Sequence, residues 1–186
     1  MSITLSRAED LVVAFASFMR PKVYVEIGTY LGNTFRQVAA IPGVTAYGCD
    51  AEAVFLEGLI PPTATFAHCM SSKFIREIGL ALGPGSVNLA FVDGSHEAEI
   101  AWDDINELLV LMAPDGLIFV HDAYPQTKEM TGPRPADTGK AWSGDVYRAV
   151  ARFAQLAGGK FDFEVIRLAP FNMALIRKGR RNAPWE

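Results

Sequence analysis

Residues 23–32, VYVEIGTYLG, constrain the fold more than any other part of the chain. Alternating β-branched and aromatic side chains suit a buried strand. The run carries a carboxylate, Glu26, into a turn spaced Glu26-x-Gly28-x-x-x-Gly32. Gly28 permits a positive φ and close approach of a ligand, and Gly32 permits tight entry to a following helix. A second acid, Asp50, closes the next apolar run, TAYGCD, at the separation expected when a second strand holds a nucleoside ribose. Together these residues point to a nucleoside-containing cofactor at the carboxyl ends of parallel strands.

The rest of the chain repeats this alternation. A helix announced by Ser6-Arg7-Ala8-Glu9, read as a capping box, carries one apolar stripe and stops at Pro21. After the glycine turn, Asn33 or Thr34 caps a helix ended by Pro42-Gly43. Strands are expected over 45–49, 65–69, 87–92 and 117–120, with helices near 51–58, after Ser71-Ser72, and up to Pro114-Asp115-Gly116. Ser143 is placed to cap a further helix, stopped by Gly158-Gly159, and 161–168 with 172–178 reads as a terminal hairpin. This pattern predicts an α/β fold, a doubly wound, mostly parallel seven-stranded Rossmann-like sheet whose last strand runs antiparallel. It predicts a single domain over 1–186, with an N-terminal helix (1–21), a lid loop (124–142) and a tail (179–186).

Composition narrows the function. Half of the residues are hydrophobic and the formal charge is −4, which disfavours non-specific nucleic-acid binding. The basic run over 177–181 reads as a solvated tail. Cys49 and Cys69 have no metal-ligand spacing and suit a reducing compartment. No signal sequence or membrane-spanning run is visible, so a soluble cytoplasmic protein is expected.

The segments VEIGTYLGNT, FVDGSHE and APDGLIFVHDAY, in that order and spacing, resemble class I S-adenosylmethionine-dependent methyltransferases. Within that class they look like the small branch related to macrocin-type sugar O-methyltransferases and cephalosporin-hydroxylase-like proteins. The resemblance implies S-adenosylmethionine as cofactor. It places the methionine portion on the turn of Glu26, Gly28, Tyr30 and Gly32, the ribose on Asp50, and adenine beside Cys69, Met70 and Ser71, with Asp93 at the edge. Many members have a glycine where this chain has Tyr30. A dinucleotide fingerprint would require glycines where Glu26 and Leu31 stand, which disfavours a nicotinamide cofactor.

Asp93, His96, His121 and Asp122 follow two apolar runs expected to be neighbouring strands, so their tips converge. His96 or His121 suits a general base for an acceptor hydroxyl. Asp93, His121 and Asp122 are alternatively ligands for Mg²⁺ or Mn²⁺. Macrocin-type enzymes carry paired acids where this chain has His121-Asp122. The expected activity is methylation of an oxygen on a small-molecule acceptor; the rival reading is a non-catalytic S-adenosylmethionine- or S-adenosylhomocysteine-binding or assembly domain. Tyr124 and Trp142 read either as an aromatic substrate wall or as pins for the loop. The first helix reads either as a cover for the cofactor or as a homo-oligomer interface.

Overall fold

A computed structural model describes residues 7–52, 60–135, 141–157 and 162–179. Seven strands form one sheet: β1 (Val23–Ile27), β2 (Thr45–Asp50), β3 (Ala64–His68), β4 (Val87–Val92), β5 (Met112–Val120), β6 (Phe163–Leu168) and β7 (Met173–Lys178). The α-helices among the described residues are α1 (Ala8–Met19), α2 (Asn33–Ala39), α3 (Ser71–Leu82), α4 (Ala98–Leu111) and α5 (Val146–Leu156). The order across the sheet is β3-β2-β1-β4-β5-β7-β6. Strands β1 to β5 pair in parallel, and β7 runs antiparallel between β5 and β6. The doubly wound sheet anticipated from the sequence is therefore present.

Both faces of the sheet are covered, which is why its strands read as nearly continuous apolar runs. Tyr24, Leu89, Phe91 and Phe119 face α1 and α2, where Val12 and Phe35 pack on them. Ile27, Val92, Ile118 and Val120 face the other layer, with Ile75, Ile105, Leu108 and Phe153 of α3, α4 and α5. Strand order reverses between β1 and β4, and a crevice opens there beyond their carboxyl ends.

Several local signals resolve differently from their first reading. Pro114-Asp115-Gly116 does not end a helix, because α4 stops at Leu111 and β5 starts at once. The three residues serve instead as an irregularity inside β5, where the β4–β5 register shifts between Val87 and Leu89 and Asp115 takes φ 63°. Lys178 Nζ donates to the carbonyls of Leu109 and Met112 and so satisfies that abrupt helix end. Arg177 pairs with Asp115 across the sheet, so the described part of the basic run is strand rather than solvated tail.

The helix caps also shift. Helix α2 starts behind Gly32, whose φ of 75° replaces an Asn33 or Thr34 cap, and α3 begins at Ser71 itself behind Met70. Arg7 N–H donates to Asp10 Oδ2, so Asp10 caps α1, while Glu9 pairs with the Arg7 guanidinium. Ser143 is fully buried ahead of α5, whose N-cap is Asp145. Ser6, most of the helix expected over 51–58, Gly158-Gly159 and the tail beyond Gly179 fall outside the described residues.

Candidate functional site

The carboxyl ends of β1, β2, β3 and β4 surround a cleft of about 460 Å³. Gly28, Tyr30, Asp50, Cys69, Met70, Ser71, Asp93 and His96 all line it. Asp50 closes β2 and organises the glycine turn: Tyr30 N–H donates to its Oδ2 at 2.6 Å and Glu52 N–H to its Oδ1 at 2.7 Å. Each oxygen keeps a second lone pair for a ligand hydroxyl. Ser71 presents its hydroxyl at the first turn of α3, next to the buried Asp104 of α4. Burial raises the Asp104 carboxyl to about 6.

Two residues of the sequence motif lie behind the cleft rather than in it. Gly32 starts α2, and Glu26 is buried with the Tyr24 hydroxyl donating to its Oε2. Burial pushes the Glu26 carboxyl up to about 8, against the opposing hydrogen bond from Tyr24. Gly28 lines the cleft, but the partner that demands glycine is protein. A Cβ there would fall 2.2 Å from the Asp93 carbonyl oxygen, and φ is 82°. The backbone of β1 and the chain leaving β4 pass too closely for any side chain between them.

The tips of β4 and β5 meet as the sequence suggested. His121 Nδ1 lies 3.0 Å from Asp93 Oδ1 and 3.5 Å from Asp122 Oδ2. Burial opposes charge on the His121 ring, but hydrogen bonds and charge from Asp122 and Asp93 outweigh it and raise the imidazole to about 11. Burial likewise raises Asp93, with His121 opposing. Asp122 moves the other way: burial disfavours its charge, yet His121, His96 and Ser143 hold its carboxyl below the usual value. The cluster is thus an imidazolium set between two acids. Asp122 sits at φ 58°, and Asn172 Nδ2 donates to its Oδ1 at 2.9 Å.

His96 lines the cleft beside this cluster. Its Nδ1 is 3.2 Å from Asp122 Oδ2, yet is misaligned and makes no hydrogen bond. The ring stacks on Trp142 at 4.5 Å and 12°. Trp142 Nε1 donates to the Gly132 carbonyl, and the Arg134 guanidinium lies 5.7 Å from the indole centroid. Both Arg134 and Trp142 line the cleft, so the described part of the loop over 124–142 forms one of its walls. Residues 136–140 of that loop lie outside the described residues. Tyr124 does not line the cleft and packs under Arg167 instead. The Trp142 segment is tied to His96: Asp145 N–H donates to the His96 carbonyl and Ala98 N–H to Asp145 Oδ1.

One ligand atom from each of Asp93, His121 and Asp122 lies within 4.8 Å of the others, which fits a single divalent cation. Two carboxylates suit Mg²⁺ or Mn²⁺, and the imidazole favours the softer of the pair. His121 Nδ1 can give its lone pair to a proton or to a metal, so the two states compete.

The supporting roles of Asn172, Asp145 and Arg134 leave no signal in the sequence, and Ser143 reads there only as a helix cap. These residues come from the hairpin, the lid loop and the start of α5, and only the closing of the sheet brings them to β5. Buried Ser143 accepts from Asn172 Nδ2 at 2.9 Å, completing the frame behind Asp122. Residues 25–123, more than half of the chain, match the model of the methyltransferase domain family. The chain belongs to that family. No curated protein matches the sequence.

Solved structures resemble this methyltransferase domain in fold at low identity. The O-methyltransferase TomG from Streptomyces achromogenes, solved in complex with SAM, has a TM-score of 0.68 and 16% identity, over 96% of this chain and 82% of TomG. An O-methyltransferase from Bacillus cereus in complex with SAH has a TM-score of 0.65 and 12% identity, over 95% of this chain and 82% of that one. The MycE methyltransferase of the mycinamycin biosynthetic pathway, in complex with Mg and SAH, has a TM-score of 0.58 and 16% identity. That match covers 85% of this methyltransferase domain and 45% of MycE.

Proposed function

We propose that this chain transfers the methyl group of S-adenosylmethionine to an oxygen of a small-molecule acceptor. The observation that carries this reading is the single cleft into which β1 to β4 deliver Gly28, Asp50, Ser71, Asp93 and His96. Asp50 is the partner for the ribose hydroxyls, and Cys69, Met70 and Ser71 flank the adenine. The turn at Gly28 and Tyr30 borders the methionine end, with Asp93 beyond it. The cofactor supplies an activated methyl group. The protein's task is alignment of an in-line attack and removal of one proton.

His96 is the group placed to take that proton. It lines the cleft, its ring is held by Trp142, and its Nδ1 lies 3.2 Å from Asp122 Oδ2. His121 is already charged and therefore serves to orient Asp93 and Asp122 rather than to accept a proton. Asp93, His121 and Asp122 would hold a divalent cation, which would add Lewis acidity at the acceptor oxygen. The loop over 124–142 acts as the lid of the acceptor half within a single domain over 1–186. No described helix is long and apolar enough to cross a membrane, and Cys49 and Cys69 are free thiols, which supports a cytoplasmic location.

Calorimetric titration with S-adenosylmethionine, S-adenosylhomocysteine and NADH tests this reading. Micromolar binding of the first two and none of NADH is expected. Binding of NADH alone, or of none of the three, would overturn it.

A further inference from the structure

The ionisable residues around the cleft are sharply unequal in sign. Asp50, Glu52, Asp93 and Glu97 are acids, and Arg134 is the one lining residue with a permanent positive charge. Four other arginines have carboxylate partners outside the cleft: Arg7 pairs with Glu9, Arg148 with Asp145, Arg152 with Glu99 and Arg177 with Asp115. Among the described residues Arg134 has no such pair, and its contact is the face of Trp142 at 5.7 Å. The indole is itself fixed by its bond to the Gly132 carbonyl and stacks on His96 at 4.5 Å.

We propose that Arg134 anchors a carboxylate on the acceptor, so that the substrate is a small hydroxylated carboxylic acid. This rests on the methyl-transfer reading of the same cleft. Guanidinium, indole and imidazole form a tier along one wall, ending at the base. With His96 4.5 Å and Arg134 5.7 Å from the indole, an acceptor spanning that wall would present a hydroxyl to His96 and a carboxylate to Arg134. A planar guanidinium offers two parallel N–H groups that match a carboxylate edge, and the Trp142 face holds its plane. The cofactor's own carboxylate belongs to the Gly28 end of the cleft, on the other side of Asp93.

The test is calorimetry on protein saturated with S-adenosylhomocysteine, using 3,4-dihydroxybenzoate and its methyl ester as probes. The acid is expected to bind wild-type protein at least about tenfold more tightly than the ester. Arg134→Gln should erase that preference by weakening the acid alone, and Arg134→Lys should keep part of it. Affinity for S-adenosylhomocysteine should stay within about twofold in both variants. The wild-type comparison of acid with ester needs no variant, so it stands even if Arg134→Gln folds poorly. An acid that binds no better than its ester overturns the proposal, as does equal weakening of both probes. A loss of S-adenosylhomocysteine affinity in Arg134→Gln also overturns it, by assigning the guanidinium to the cofactor. Failure of S-adenosylhomocysteine to bind wild-type protein would instead overturn the methyl-transfer reading itself.

Discussion

His121 and Glu26 are both shifted toward the protonated form, and both shifts make the fold sensitive to alkali. His121 rises from an ordinary 6.5 to about 11, so the stabilisation from its charge is complete below pH 6.5 and is lost as pH climbs toward 11. Glu26 rises from 4.5 to about 8, so its contribution is complete below pH 4.5 and fades through pH 8. Melting temperature should therefore fall steadily between about pH 6.5 and 10. His121→Asn should lower it at neutrality but flatten that slope, and Glu26→Gln should flatten the part below pH 8; unchanged slopes in both would remove the assignment. His96→Ala should cut turnover by about 10²–10⁴-fold while leaving S-adenosylhomocysteine affinity near wild type, measured by calorimetry. Asp50→Ala should weaken that affinity by about 1.5–3 kcal/mol and also lower the melting temperature, since two backbone amides lose their acceptor. The residues legible in the sequence are those placed directly after apolar runs. Glu26 was legible as a motif member but not as a buried acid, because burial depends on α1 and Tyr24 closing over it.

Turns and caps carried mixed information. The glycine turn after β1 was readable because glycine tolerates φ 82° against the Asp93 backbone, and it is that neighbouring backbone which makes glycine obligatory at Gly28. Pro114-Asp115-Gly116 looked like a stop and proved to be an irregularity within β5, because the same dihedral demands serve a turn or a strand distortion. Gly144 drew no notice in the sequence, yet it takes φ 58°, and a Cβ there would lie 2.1 Å from the His96 carbonyl oxygen. Gly144→Ala should cost about 2 kcal/mol or more in urea unfolding and should displace His96. Turnover of the folded fraction should fall, and a variant with normal stability and turnover would show that the two segments are not packed so closely. Such long-range contacts, like Asn172 on Asp122 across the hairpin, follow from strand order and leave no local trace.

The sheet as a whole was the most legible feature, since most of its strands are largely apolar and polar residues follow β1, β4 and β5 directly. On the methyl-transfer proposal, the cofactor residues follow β1, β2 and β3 and the acceptor residues follow β4 and β5, so the two halves meet at Asp93 and Gly94. Replacing 126–139 with a short flexible linker should leave S-adenosylhomocysteine affinity within a few-fold of wild type, because longer or shorter loops cost little closure entropy. Methyl transfer should be lost with the wall that carries Arg134, and a collapse of cofactor affinity would place the loop in the nucleoside pocket. Adding Mn²⁺ should release about one proton per site in unbuffered solution if the cation displaces the His121 proton, and a chelator should reverse it. The same separation has a consequence for how such a domain diversifies. The loop over 124–142 is anchored at its two ends by Asn172, which accepts Tyr124 N–H on its Oδ1, and by the Gly144–His96 junction. Within the loop Met130 accepts Ser143 N–H and Gly132 accepts the Trp142 Nε1–H, so a replacement segment has to rebuild those closures while its other positions vary. A lineage could thus exchange one acceptor for another by grafting a new segment there, while the inherited cofactor half stayed untouched.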